Sequence, residues 1–238
     1  MKILAIDVGG QHVKALATGQ TVPRKLNSGP KLTAAQMAEG VKSMTADWDY
    51  EVISLGYPGQ VVHNMPAHDP ANLGKGWIGF DYAAAFGKPI KIVNDAAMQA
   101  LGSYHGGRML FLGLGTGLGS AMVIDGQLEP MELAHVPYKK KLTYEDFVGL
   151  RGLKRLGRKK WRQEVDDIIT IFRKALQPDY IVVGGGNAKL VKDLAPDIRL
   201  GDNANAFLGG FRLWEANTPP TTEPITDEST TDESTTDD

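Results

Sequence analysis

The 238 residues include no cysteine, which excludes disulfides, thiolate nucleophiles and every cysteine-based zinc centre together. No apolar run reaches membrane-spanning length, and no basic-then-apolar leader precedes the first strand-like stretch. The expectation is therefore a soluble, cytoplasmic protein with no membrane partner. Aromatic residues are sparse at 8%, and the net charge is only −2. That near-neutrality hides an asymmetry. Residues 217–238 carry seven acids and no base, which leaves 21 acids against 26 bases in residues 1–216. Ten of those bases lie between Lys139 and Arg162, with only Glu145 and Asp146 among them. The residue in excess is glycine, 28 in all and clustered in short groups, against a usual share of about 7%.

Those groups recur at the ends of strand-like runs. Lys2 to Asp7 leads into Gly9-Gly10, and His12 to Thr18 resumes extended, so a hairpin is predicted. Thr33 caps a helix to Ala46 with apolar residues at helical spacing, and Glu51 to Tyr57 is a strand ending at Pro58-Gly59. A long Pro-, Asn- and Gly-rich loop to Gly79 follows, of the kind that is functional or disordered; Trp77 within it and the lack of charge runs favour order. Pro89 to Val93 delivers Asn94-Asp95 to an Ala-rich helix reaching about Tyr104. Met109 to Leu112 and Ser120 to Ile124 are strands flanking the run from Gly113 to Gly119. Tyr144 to Leu156 and Lys160 to Leu176 read as helices, the second with Trp161, Val165, Ile168, Ile169 and Phe172 on one stripe. Tyr180 to Val183 is a β-branched run that feeds Gly184-Gly185-Gly186 and a helix from Asn187 to Leu194. The Thr-Asp-Glu-Ser-Thr repeats beyond Trp214 bury too little apolar surface to offset ordering entropy.

Glycine lets main-chain N–H groups converge on an oxyanion without a Cβ in the way, and three such turns after strands are better explained by phosphate than by three unrelated tight turns. The Gly-x-x-x-x-Gly-Lys-Ser/Thr phosphate loop is absent. No Gly-x-Gly-x-x-Gly follows the first strand either, which excludes a dinucleotide-binding fold there. His63, His68 and Asp69 fall close together, but their spacing fits no metal pattern and they are read as loop residues. The basic segment from Lys139 to Arg162 suits an extended polyanion; its bland reading is a solvated helix face. The acidic tail could compete with such a polyanion for the same charges.

Asp7-Val8-Gly9-Gly10 with Lys14, Asn94-Asp95, Gly115-Thr116-Gly117 and Tyr180 to Gly186 stand in the order and rough spacing found in ROK-family sugar kinases, which the chain resembles over about residues 1–214. Pro58-Gly59, Asn72-Leu73, Trp77 and the Glu132-Leu-Ala-His135 element extend the likeness. Tyr57-Pro-Gly, Lys75 to Gly79 and Lys160-Trp161 are similar to the polyphosphate glucokinase branch. The resemblance implies an actin-like, ribonuclease-H-like two-lobed α/β fold with a cleft between lobes: an N-terminal lobe (1–107), a C-terminal lobe (108–216) and a disordered acidic tail (217–238). It implies transfer of phosphoryl from polyphosphate or ATP to the 6-hydroxyl of glucose, with Asp95 as general base. Asn72, Asn94, Glu132, His135 and Glu145 are assigned to sugar hydroxyls. Gly9, Gly10, Gln11, Lys14, Gly115, Thr116, Gly117, Gly185 and Gly186 are assigned to donor phosphates. Asp7 is assigned to Mg²⁺ through water, and no structural zinc is expected. Gln11 departs from the Thr or Ser usual in the first turn. Asp95 could instead be a helix cap, and Glu145 a first-turn helix acid. A homodimer is left open and no nucleic-acid partner is expected. The open alternatives are an ATP-dependent kinase for another hexose and a noncatalytic sugar sensor or polyanion-binding module.

Overall fold

The computed structural model describes residues 1–215; the tail expected to be disordered lies outside the described residues. Strand β1 (Ile3–Val8) turns through Gly9-Gly10 into antiparallel β2 (His12–Ala17), and β3 (Arg24–Asn27) joins its outer edge. Helix α1 (Ala34–Met44) starts at a reciprocal cap. The Thr33 hydroxyl accepts from the Gln36 amide, and the Gln36 side chain accepts from the Thr33 amide, which satisfies two otherwise orphaned donors. Strand β4 (Val52–Tyr57) is buried throughout and lies parallel to β1. A long loop holds the short hairpin β5 (Val61–Val62) and β6 (Met65–Pro66), after which come α2 (Tyr82–Phe86), β7 (Ile90–Asn94) and α3 (Asp95–Ser103).

The second half repeats the plan. Strands β8 (Arg108–Leu114), β9 (Leu118–Ile124) and β10 (Gln127–Met131) form a meander, followed by a 3₁₀ turn at Leu133–His135. Next come α4 (Tyr144–Val148), α5 (Leu150–Leu176), β11 (Tyr180–Gly184), β12 (Ile198–Leu200) and α6 (Asn205–Arg212). The two five-stranded sheets have the orders β3-β2-β1-β4-β7 and β10-β9-β8-β11-β12. In each, the first three strands are antiparallel and the last two join in parallel. Trp77 lies in the core of the first half and Trp161 in that of the second, both fully buried. Their indole N–H groups donate to the carbonyls of Leu32 and Val148, as buried indoles require.

Two helices cross between the sheets. Ala96, Ala97, Ala100 and Leu101 of α3 pack with Met109, Phe111, Ala121 and Val182 of the second sheet. Helix α6, last in the described chain, returns to the first sheet. There the Ser54 hydroxyl donates to the Gly210 carbonyl at 2.5 Å, and the Trp214 indole donates to the Ser54 oxygen at 3.0 Å. Gly102 and Gly209 let the α3 and α6 backbones touch, since a Cβ on either would overlap a main-chain carbonyl of the other helix. No helix among the described residues is long and apolar enough to cross a membrane.

Two expected helices depart from the sequence expectations, and several short elements were not expected. The helix expected from Tyr144 to Leu156 breaks at Gly149, which is extended (φ −71, ψ 177); a Cβ there would lie 2.9 Å from the carbonyl oxygens of Glu145 and Thr116. The stretch from Asn187 to Leu194 forms only a 3₁₀ turn at Ala188–Leu190. The amide of Asn187 donates to the Leu114 carbonyl and its side chain donates to Gly115, which clamps the segment to another loop. Strands β3, β10 and β12 and helices α2 and α6 carry too weak a periodicity to be anticipated.

Candidate active site

Asp95 owes its place to glycines in both sheets. Gly56 of β4 pairs with Asp7 of β1, and a Cβ on it would fall 3.5 Å from Asp95 Cα and run into Met98. Across the second sheet Gly113 pairs with Gly119, and a Cβ on Gly119 would run into Ala96. The first turn of α3 is thereby wedged between the sheets. Asn94 caps this turn, its side-chain oxygen accepting from the amides of Ala96 at 2.9 Å and Ala97 at 3.2 Å. Its side-chain nitrogen donates to the Gly59 carbonyl at 3.0 Å. Asn94, not Asp95, is therefore the cap, and only one of its amide hydrogens is left for a ligand.

Asp95 is half-buried, yet the atoms packed around it strip away most of its water. That desolvation, with the nearby charge of Asp7, pushes its carboxyl up from 3.8 to about 7, while hydrogen bonding to the backbone opposes the rise and the charge of Glu132 adds a little. An anion at a helix N-terminus gains only about 0.3–1 kcal/mol, and a shift of one pKa unit is about 1.4 kcal/mol, so burial prevails. Burial also raises Asp7, and the Lys14 ammonium opposes that rise; the two residues face each other across the β1–β2 ladder.

The remaining candidates fall into three groups, of which the second holds Glu132, whose charge reaches Asp95. Gly9, Gly10 and Gln11 form the β1–β2 turn. The Ser28 hydroxyl fastens it by donating to the Gly9 carbonyl, and the Ser28 amide donates to Gln11. A Cβ on Gly10 would lie 3.6 Å from Asn72 Cβ, so the first glycine turn and the Asn72 loop are adjacent. That loop is held by Asp69, which accepts from the Trp77 amide at 2.9 Å, and by Gly74, whose amide donates to Leu32. In the second group, Glu132 and His135 lie 3.7 Å apart across the exposed 3₁₀ turn after β10. The Ser120 hydroxyl holds the turn, donating to the Met131 carbonyl and accepting from the Leu133 amide.

The third group joins the other two glycine turns. Gly185 (φ 84) lies so close over Leu114 that a Cβ would be 2.6 Å from its carbonyl oxygen, a conformation and contact suited to glycine. Asn187 Nδ2 donates to the Gly115 carbonyl at 3.0 Å, which ties the Gly184–Gly186 turn to the Gly115–Gly117 turn; Thr116 and Gly186 are exposed. Helix α5 starts on the same loop, the Leu150 amide donating to the carbonyls of Gly115 and Thr116. Glu145 lies here too, accepting from the Leu118 amide and from Arg151. Asn187, Ser28 and Gly56 escaped the sequence reading. Of these only Asn187, directly after three glycines, carried a local signal.

From α5 a run of exposed cations leaves the loop. Arg151, Arg155 and Arg162 are tied to the Glu145 and Asp146 carboxylates, the Asp146 carbonyl and the Leu190 carbonyl respectively. Lys139 pairs with Glu164 and Asp167. Among the described residues, Lys154, Arg158, Lys159 and Lys160 are exposed without an ion-pair partner, and Gly157 (φ 72) kinks the helix in their midst. No cluster of three metal-binding side chains occurs among the described residues. Asp7 has only the Asp95 carboxylate as an acidic neighbour in the electrostatics of this pair, a sparse donor set that fits a hard cation taking most of its ligands from water and phosphate and not from a protein cage.

A five-stranded sheet plan that occurs twice and is joined through α3 is the actin-like architecture expected from the resemblance, and the resemblance to ROK sugar kinases read from the sequence is borne out. The polyphosphate glucokinase of Mycobacterium tuberculosis is 28% identical over 217 residues, covering 80% of each chain. The inorganic polyphosphate/ATP-glucomannokinase of an Arthrobacter strain superposes with a TM-score of 0.75 at 23% identity, over 90% of this chain and 98% of that one. A ROK glucokinase from Streptomyces griseus, solved with glucose and AMPPNP, gives 0.69 at 16% identity over 88% and 97%. No family model matches the sequence.

Proposed function

We propose that this protein is a glucokinase that transfers a phosphoryl group from inorganic polyphosphate, or from ATP, to the 6-hydroxyl of glucose. The observation that carries the reading is Asp95 itself, a desolvated carboxylate between two sheets whose proton affinity is raised to about 7, with the buried Asp7 carboxylate nearby. A base with that affinity accepts a hydroxyl proton near neutral pH and returns it afterwards. Glu132, His135, Asn72 and Glu145 supply fixed donors and acceptors for the sugar, as a polyol requires. The Gly9–Gly10, Gly115–Gly117 and Gly185–Gly186 turns and Lys14 receive the donor phosphates, with Gln11 offering a side-chain amide. Mg²⁺ held through water by Asp7 would neutralise charge on those phosphates. Closure of the cleft would keep water from competing with the sugar hydroxyl.

Polyphosphate ranks first as donor because the unpaired cations of α5 begin beside the Gly115 loop, where a chain of phosphates would leave the cleft. Polyphosphate as a donor is supported by the names of two relatives, one a polyphosphate glucokinase and the other a polyphosphate/ATP-glucomannokinase. The test is a coupled glucose 6-phosphate assay with polyphosphate and ATP offered separately, repeated with mannose and N-acetylmannosamine. Turnover of glucose with polyphosphate is expected. Turnover with ATP alone would reverse the donor ranking, another preferred hexose would change the substrate, and no turnover with any pair would refute the kinase reading.

A further inference from the structure

Glu145 is held as an anionic ligand would be. Its Oε2 accepts from the Leu118 amide at 3.3 Å, its Oε1 accepts from Arg151 Nη2 at 3.3 Å, and it sits where a Cβ on Gly117 would be. The donors gripping it are a main-chain N–H at the end of a glycine turn and a guanidinium on the first turn of α5, the pair of groups that recognises a phosphate oxygen. Arg151 is otherwise exposed, and its other ionic contact is Asp146 at 3.5 Å. One carboxylate therefore separates Arg151 from the loop assigned to the donor.

We infer that the Leu118 amide and Arg151 form a donor-phosphate subsite which Glu145 fills in the absence of sugar, and that sugar binding empties it. This rests on the kinase reading, in which Glu145 serves a sugar hydroxyl. A carboxylate that turns to the sugar cannot keep both of its present partners, so the guanidinium and the amide become free for phosphate. The consequence is ordered, mutually reinforcing binding: the donor is held weakly until the acceptor is present, which protects it from transfer to water. Linkage makes the effect reciprocal, so donor also tightens sugar.

The test is calorimetry on the full chain with Mg²⁺ and tripolyphosphate as probe, with and without 6-deoxyglucose, which lacks the reacting hydroxyl. In the wild type the sugar should tighten tripolyphosphate about tenfold, within the range of allosteric couplings. Glu145→Gln should tighten it about tenfold with no sugar present and leave little further effect of sugar. Arg151→Gln should abolish the sugar effect, and in the Glu145→Gln background it should cancel the gain, while Arg151→Lys should restore part of it. A gain in Glu145→Gln that survives loss of Arg151 reflects bulk charge and overturns the proposal, as does a Glu145→Gln protein with wild-type tripolyphosphate affinity. If glucose offered without a phosphoryl donor fails to bind while the Arg151-dependent gain persists, the masked phosphate subsite stands and the sugar-kinase reading falls.

Discussion

At Asp95 the sequence and the structure divide the information between them. The dipeptide Asn94-Asp95 before an Ala-rich stretch marked a helix start, and the resemblance assigned Asp95 as the reactive acid, but whether Asp95 instead capped the helix was not legible. Both side chains can cap, and the choice is made by Gly59, whose carbonyl captures the Asn94 amide. The raised proton affinity was also invisible, because it arises from atoms distant in sequence that remove water from the carboxyl and from the charge of Asp7. Its consequence for activity is a rate that rises with pH through about 7 as the base ionises, to be seen in kcat/KM for the sugar. Its consequence for stability has the opposite sign. Between the ordinary value of 3.8 and about 7 the folded protein keeps a proton that the unfolded chain has released, so stability is lost as pH rises through that window. Asp95→Asn should therefore stabilise the ligand-free protein at pH 8 by on the order of 1–3 kcal/mol and have little effect near pH 4, measured by denaturant unfolding at both values.

Elements with strong periodicity were legible and those defined by tertiary contact were not. The α1 start at Thr33 and the apolar stripe of α5 needed only local rules, and both are as expected. The Gly149 break and the short turn after Asn187 are imposed by the Gly115 loop, which competes for the same backbone groups. Helix α6 was missed because its glycines weaken the helical pattern, yet those glycines are what allow it to lie on α3 and β1. Replacing Gly209 by Ala gains about 1 kcal/mol of helix propensity, but its Cβ would overlap the Met98 carbonyl oxygen, and overpacking of that kind costs about 1–3 kcal/mol or more. The crowding term prevails because the obstacle is backbone on both sides. Gly209→Ala should lower Tm by roughly 2–6 °C, and because α3 carries Asp95 it should lower kcat as well; an unchanged Tm would mean that the two helices are not tightly apposed.

On the scale of the molecule, one sheet plan occurs twice, and α3 and α6 cross between the two sheets. The recurrence of strand–glycine turns about a hundred residues apart suggested two lobes, and the structure has two five-stranded sheets of matching plan. That the last described helix belongs physically with the first sheet was not legible, since nothing local in residues 205–212 points 150 residues back. The charge asymmetry was plain in the sequence, and the structure adds which cations are engaged and which have no ion-pair partner among the described residues. Converting Arg158, Lys159 and Lys160 to Gln should raise KM for long polyphosphate several-fold at low salt, flatten its salt dependence and leave KM for glucose unchanged. The account as a whole depends on one carboxylate taking a proton from a sugar hydroxyl while neighbouring residues bind that sugar. The most direct measurement is turnover of glucose by wild type and Asp95→Asn with glucose affinity determined in parallel. The expected result is turnover reduced about 10²–10⁴-fold with affinity altered no more than a few-fold; undiminished turnover in Asp95→Asn would contradict it.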